Sequence, residues 1–386
     1  MANKMENTTK HPVYLDCNAT TPVDPEVAEV AQTHLVEEFG NAGSRTHSYG
    51  ARAKQAVQRS RERVAAVVQS KRDEVVFTSG ATESNNLALL SIIAYGQESG
   101  KKHIISTTIE HKAVLEPLER MEEHGFEVTR IPVGKSGWVD PKEVSKALRP
   151  ETLLVSIMQA NNETGVRQPL TKIAEAMKGH AAYLHTDAAQ GFGKDLDGLR
   201  NPRIDLISIS GHKIYAPKGI GALIVRKRGY KRIPLQPLMV GGGQERGLRP
   251  GTLPVALIAA LGKASELALK NAEQRAARCS EIRVAALEGL KDLNPSIVGD
   301  QEKILPHVLN LSIGGLDSEA LIVATKHLVA ISNGSACTSS SYSPSHVLMG
   351  MGFSEEEANR CVRISWCHMT PDVDWAELAS TIRALT

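Results

Sequence analysis

Between residues 75 and 225 short apolar runs alternate with helical stretches, and that alternation leaves the chain few architectures. Residues 75–77, 103–106, 153–158, 182–186, 204–210 and 219–225 are mostly apolar and short enough to be buried strands. Helical runs such as 113–124 and 170–180 separate most of them. Strands and helices taking turns in this way predict an α/β fold with a mostly parallel sheet, covered on both faces. In such sheets ligands sit outside the carboxyl ends of the strands. The residues that follow each apolar run are therefore where chemistry is expected.

The N-terminal flank opens with a short strand at 13–15, a polar segment at 16–22, and a helix begun by Asp24-Pro25, with proline at its first position. Residues 39–50 read as a loop, and 51–70 as a charged amphipathic helix with Val57, Val64, Val67 and Val68 on its apolar side. Beyond the alternating region, 253–293 is one long helical stretch or two abutting ones. The tail alternates like half-buried strands at 308–313, 329–332 and 362–365, with helices at 318–327 and 354–361. A chain of 386 residues can build two cores. The expected division lies near residue 262, giving a large domain over 18–262 and a smaller one from 1–17 with 263–386.

Charge and cysteine usage exclude several classes. Forty-five basic and 43 acidic side chains leave a formal charge of +2, so no bulk grip on nucleic acid or an anionic membrane is expected. The five cysteines, Cys17, Cys279, Cys337, Cys361 and Cys367, are odd in number and lack a CxxC pair. That argues against a disulfide framework or a zinc ribbon and for a reducing cytosol. Residues 1–11 are polar, unlike a secretory signal, and no apolar run reaches transmembrane length. A cytoplasmic protein is expected.

The run at 204–210 breaks into Gly211-His212-Lys213, which places a primary amine at a strand end. A lysine there, partly desolvated and beside a second potential cation in His212, would have a lowered pKa and could attack a carbonyl. Taken alone it is more often a surface side chain. Asp187, at the end of the preceding run, changes that balance. A carboxylate and an amine at the ends of two successive strands suit pyridoxal phosphate. The lysine makes the Schiff base, and the carboxylate keeps the pyridine nitrogen protonated.

After the strand at 75–77 come Thr78-Ser79-Gly80-Ala81-Thr82-Glu83 and an apolar helix. A strand, a small-residue turn and a helix N-terminus make an anion site, to which Thr82 adds a hydroxyl. Helix capping by Thr78 or Thr82 would use the same residues. Val133-Gly134-Lys135-Ser136 resembles the end of a P-loop, but Thr129 stands where its first glycine is required. Gly241-Gly242-Gly243 lacks the spacing of a dinucleotide motif.

His111 follows a strand and could stack on a planar cofactor or move a proton, although a lone histidine is more often structural. Asn162, in Asn161-Asn162-Glu163-Thr164-Gly165, either ends another strand at the same sheet edge or makes a turn. Gln190 could donate to the cofactor's phenolic oxygen. Cys337 lies in Asn333-Gly334-Ser335-Ala336-Cys337-Thr338-Ser339, where no bulky apolar residue anchors the chain. Its thiol is expected to be mobile and exposed, as a reactive thiol or as a bystander in a linker. Arg363 is either a salt-bridge partner or a bidentate clamp for a substrate carboxylate.

Together these segments resemble the pyridoxal-phosphate cysteine desulfurases of the NifS/IscS type. The resemblance covers nearly the whole chain, through YLDCNATTPVDP, FTSGATESNNLAL, EHKAVLEPL, NNETGV, HTDAAQ, SGHKIYAPKGIGAL, GGGQERGLRPGTLPV, SNGSACTS and VRIS in that order. It implies the fold type I architecture, a large domain with a mostly parallel seven-stranded sheet plus a smaller α+β C-terminal domain, and a homodimer whose active sites draw on both subunits. Lys213 would be the Schiff-base lysine, Asp187 the pyridinium partner and His111 the ring-stacking histidine. Ala81, Thr82, Ser210 and His212 would hold the phosphate, with Thr252 reaching across from the other subunit. Gln190 and Asn162 would contact the ring and its substituents, and Asn162 and Arg363 the carboxylate of an L-cysteine substrate.

Cys337 would attack the substrate sulfur, leaving alanine and a Cys337 persulfide whose sulfur passes to an acceptor protein. Lys213 and His111 are the candidate proton carriers. Cluster-assembly members usually carry a different residue at Cys17 and lack the run Trp366-Cys367-His368-Met369-Thr370-Pro371; that run, with RNPRIDLISISGHK and NAGSRTHSYG, is more similar to the DndA branch, which supplies sulfur for DNA phosphorothioation. Iron-sulfur cluster assembly and tRNA thiolation are the other acceptor pathways. The same fold would also serve a selenocysteine lyase, an aminotransferase that does not need Cys337, or a scaffold for sulfur-transfer partners without turnover.

Overall fold

Seven short segments hydrogen-bond into one sheet in the computed structural model, which describes residues 11–333 and 344–385. After β1 (Val13–Tyr14) they are β2 (Val75–Thr78), β3 (His103–Thr107), β4 (Glu127–Ile131), β5 (Thr152–Ser156), β6 (Tyr183–Asp187), β7 (Leu206–Ser210) and β8 (Gly221–Val225). Their order across the sheet is β2-β8-β7-β6-β5-β3-β4. All pairings from β4 through β7 are parallel, and β8 runs antiparallel to both its neighbours. This is the α/β architecture that the alternation predicted.

Side chains two apart along each strand go to the same face. Phe77, Ile105, Val155, Leu184, Ile207 and Ile224 join one buried cluster, while Val76, Ile104, Leu154, Leu206 and Leu223 join another. Burial on both faces is why these strands read as unbroken apolar runs. Strand β4 escaped the sequence reading because it is the sheet edge and its residues Glu127 and Arg130 stay in contact with solvent. Both are paired with other surface charges, Glu127 with Arg149 and Arg130 with Glu122.

The long helical stretch resolves into two helices. Val255–Lys270 buries Ile258, Leu261 and Leu267 in the first of these clusters. Ala272–Leu290 turns Cys279, Ile282 and Ala286 into a separate core. That second core is built on β9 (Ser296–Ile297), β10 (Val308–Ser312) and β12 (Val362–Ser365), an antiparallel sheet ordered β12-β10-β9, with Trp366 and Trp375 packed against it. Strand β11 (Val329–Ala330) pairs with β1 in parallel.

The half-buried character expected of β12 is not found, since all four of its residues are buried. Val362 and Ile364 face the core, while Arg363 and Ser365 are taken up by polar groups of residues 16–18 and 162. Among the described residues no helix is long and apolar enough to cross a membrane.

Candidate active site

Residues at the carboxyl ends of β2, β3, β5, β6 and β7 line one cavity of about 430 Å³. Strand β7 stops at Ser210, and a single 3-10 turn, Gly211–Lys213, carries the lysine over the strand end. The segment at 18–21 lies across that turn. Thr21 N and Oγ1 each donate to His212 O at 3.0 Å, and Thr21 Oγ1 accepts from Tyr215 N at 3.1 Å. Lys213 Nζ donates to Ala19 O at 2.8 Å and also to Asn18 O. Asn18 and Ala19 thus form a wall of the site that sequence reasoning treated as a polar connector. The hints in the sequence are a polar run directly after a strand and its place in the YLDCNATTPVDP motif.

Asp187 closes β6 opposite Ser208 of β7. Its carboxylate, 6% exposed, accepts from Asn85 Nδ2 at 2.7 Å and from Ala189 N at 2.9 Å. Asn85 belongs to helix Ala81–Leu90, whose first turn brings Ser79, Gly80, Ala81 and Thr82 to the same cavity. The first N–H groups of a helix lack partners within it and favour an anion. Gly221 of β8 makes this approach possible. A Cβ there would lie 2.6 Å from Gly80 Cα and 2.4 Å from Ile209 O, so no larger residue could let the turn sit against the end of β7. Ser210 and His212 line the same end.

His111 caps the helix Lys112–Glu123, its Nδ1 accepting from Ala113 N at 3.0 Å. Burial lowers its pKa against the pull of Asp187, with Lys213 adding to the lowering. A neutral ring with an accepting Nδ1 keeps its proton on Nε2. The neighbouring Glu110 is fully buried and pushed up to about 8 by that burial. His212 is not the second cation expected beside Lys213. Burial, then Lys213, lowers its pKa to about 4, so it stands as a neutral ring with Nδ1 3.1 Å from Thr20 Oγ1.

The other end of the cavity is a chain of amide and guanidinium contacts. Gln190 Nε2 donates to Asn18 O at 3.0 Å, and Asn18 Nδ2 donates to Asn162 O at 3.0 Å. Arg363 Nη1 donates to the same Asn162 O at 3.0 Å, and its Nη2 meets Asp16 Oδ1 at 2.7 Å. Arg363 has 0% exposure, yet it lines the cavity. It is therefore a salt-bridge partner and a cavity wall at once.

These residues fit pyridoxal phosphate. Asn18 Oδ1, Asn162 Oδ1, Gln190 Oε1 and Arg363 Nε are buried, belong to lining residues, and have no partner among the described residues. Unsatisfied buried polar atoms are costly and call for a polar ligand. An amine, a carboxylate, a helix N-terminus and a buried arginine around one space can together hold a charged planar aldehyde and a small carboxylate. Thr252 is exposed and lines a different cavity of about 300 Å³ with Arg61, Glu245 and Arg246. Cys337 lies outside the described residues.

Residues 13–375 match the aminotransferase class-V family. The chain is similar to the cysteine desulfurase IscS of Vibrio cholerae, 43% identical over 368 residues that cover 95% of this chain and 90% of that one. Among solved structures it resembles DndA from Streptomyces lividans, at 48% identity and a TM-score of 0.81 over 90% of this chain and 98% of that one. It also resembles SspA in complex with cysteine, at 37% identity and a TM-score of 0.79 over 92% and 98% of the two chains. The chain belongs to the aminotransferase class-V family, whose enzymes depend on pyridoxal phosphate. Within that family it is a cysteine desulfurase.

Proposed function

We propose that the protein binds pyridoxal phosphate through Lys213, converts L-cysteine to L-alanine, and passes the sulfur through Cys337 to an acceptor protein. The observation that carries this reading is that Lys213 and Asp187 line one cavity with a helix N-terminus at one end and Arg363 at the other. When bound, the cofactor supplies an electron sink for the bond to the substrate Cα.

The protein's own residues supply the rest. Ala81, Thr82, Ser210 and His212 hold the phosphate end, while Asp187, fixed by Asn85 and Ala189, faces the ring nitrogen. His111 stacks on the ring, and Gln190 and Asn162 meet its substituents. Arg363 and Asn162 orient the substrate carboxylate. Lys213 Nζ takes and returns the Cα proton, with His111 carrying protons near the leaving sulfur.

Thr252 is proposed to complete the phosphate site of a second subunit in a homodimer, a role supported by its exposure away from the cavity of its own chain. Residues 18–262 are proposed as the cofactor-holding domain and 1–17 with 263–386 as the smaller one, supported by a second core drawn only from Leu15 and residues beyond 278, while Val298, Val347, Leu348, Met351, Ala358 and Cys361 pack into the first. Similarity to DndA favours DNA phosphorothioation as the pathway served, in the cytoplasm, with a protein as the direct sulfur acceptor.

The test is spectroscopic and chemical. Lys213→Ala should lose the visible absorbance of a lysine-bound cofactor. Cys337→Ala should keep it and release no sulfide from cysteine. Retained absorbance in the first variant, or full sulfide release by the second, would overturn the assignment.

A further inference from the structure

Two buried acids stand directly beside residues assigned to the site, Glu110 before His111 and Glu163 after Asn162. Glu163 is 2% exposed, and its Oε2 accepts a hydrogen bond from Ser345 Oγ. Ser345 is itself buried, and the same hydroxyl accepts from Leu348 N at 3.1 Å as the cap of helix His346–Gly350. The next residue, His346, places Nε2 2.9 Å from Glu110 O. Thr108 Oγ1 donates to Gly350 O at 3.2 Å, tying the end of the same helix to the segment that leads into His111.

The chain before the cysteine segment is fastened just as closely. Ser332 N donates to Arg363 O at 3.2 Å, Arg363 N donates to Ser332 O at 2.6 Å, and Ser332 Oγ donates to Asp16 Oδ1 at 3.2 Å. Both flanks of residues 334–343 therefore end on the backbone or side chains of residues that line the substrate end of the cavity, or on their immediate neighbours. On the N-terminal flank the backbone of Arg363 and the carboxylate of Asp16 take part in the fastening. On the C-terminal flank the Glu163 side chain holds Ser345, with Thr108 holding the far end of the helix that follows.

We propose that Glu163 is a positioning residue for sulfur transfer, its buried carboxyl holding Ser345 and His346, which follow the cysteine segment, against the Asn162 end of the cavity. The inference rests on the desulfurase reading above. Glu163 touches neither the substrate-facing atoms nor the cofactor site, and acts through Ser345. A surface serine cap would need no acid beneath it. Burial raises the Glu163 carboxyl, and the Ser345 hydroxyl, His346 and Arg363 pull it back, so the group is held among polar partners and not left as an isolated charge.

The experiment compares Glu163→Ala, Glu163→Gln and Ser345→Ala with the unmutated holoenzyme. Exchange of the cysteine Cα proton with deuterated solvent reads the step at Lys213, and alanine formation reads sulfur removal. For Glu163→Ala and Ser345→Ala, exchange should stay within about twofold while alanine formation falls about tenfold to 100-fold, the loss expected from a misplaced reactive group. Glu163→Gln keeps an oxygen that accepts from Ser345 and should restore most of that loss.

Alkylation of Cys337, followed by mass spectrometry without substrate, should change by about threefold or more in the two alanine variants and not in Glu163→Gln. Unchanged alanine formation in Glu163→Ala would overturn the proposal. So would exchange and alanine formation falling together with no rescue by glutamine. If the unmutated protein makes no alanine from cysteine, the desulfurase reading fails instead, and the alkylation comparison alone decides the role of Glu163.

Discussion

Asn85 and Asp187 meet at 2.7 Å across 102 positions of sequence, joining helix Ala81–Leu90 to the strand that carries the carboxylate. That carboxylate accepts from one side-chain amide and one backbone N–H, two neutral donors that suit its proposed pairing with a ring nitrogen. Removing the amide would leave a buried carboxylate oxygen without a donor, at about 1–3 kcal/mol. Asn85→Ala is therefore expected to lose about that much stability in urea unfolding of the cofactor-free protein, and about tenfold in kcat/KM for alanine formation. An activity loss with unchanged cofactor absorbance would show that orientation of Asp187, and not cofactor retention, is what Asn85 provides.

Arg363 predicts a different pattern. Its guanidinium spends Nη1 on Asn162 O and Nη2 on Asp16, leaving Nε without a described partner. Arg363→Ala should raise KM for cysteine about 30-fold or more, in line with 2–5 kcal/mol for a truncated buried charge pair, with cofactor occupancy intact. Equal loss of occupancy and cysteine binding would assign the residue a structural role.

Two buried groups set opposite pH limits on stability. Glu110 has a folded pKa of about 8 against an ordinary value of 4.5, caused by burial. Its contribution is complete below about 4.5 and is lost as pH rises to about 8. His185, buried between Ser156 and Ser208, is lowered from 6.5 to about 3, so its contribution is complete above about 6.5 and lost as pH falls towards about 3. Glu110→Gln should therefore gain at least about 1 kcal/mol over the unmutated protein at alkaline pH, relative to the difference between the two at pH near 4.5. Parallel stability curves for the two proteins, measured by urea unfolding from acid to alkaline pH, would refute this.

The ion pair of Arg61 with Glu245 concerns the fold and not the chemistry. Both side chains are buried, Glu245 Oε2 also accepts from Phe77 N at 2.8 Å, and Arg61 Nη1 donates to Val75 O at 2.7 Å. Glu245→Ala would leave the guanidinium unpaired under β2, and breaking a buried pair costs about 3–5 kcal/mol. A shift of that size in the urea midpoint is the expected result, with cysteine affinity of the surviving folded fraction unchanged.

Much of this was legible in the sequence. Lys213 and Asp187 stood out because each follows an apolar run, and both faces of the central sheet are covered, which keeps those runs unbroken. His111, Asn162, Gln190 and the turn at Ala81 and Thr82 followed from the same placement and from the family motifs. What escaped was whatever acts through the third dimension. Asn18 and Ala19 serve by their carbonyl oxygens, which no side-chain motif announces. Asn85 sits within an apolar helix and looks like an ordinary polar interruption. His212 looked cationic because adjacency to a lysine is visible in a sequence and burial is not. The break between the two abutting helices at 255–290 is not legible in the sequence, because no glycine or proline marks it at Asn271.

Arg363 springs from the strand that carries Val362 and Ile364 into the second core, while its head group completes a cavity built mainly from the first. The carboxylate recognition proposed for Arg363 thereby depends on the docking of two hydrophobic bodies. Substitutions near Trp366, remote from any cofactor, should surface as weakened cysteine affinity well before they surface as unfolding.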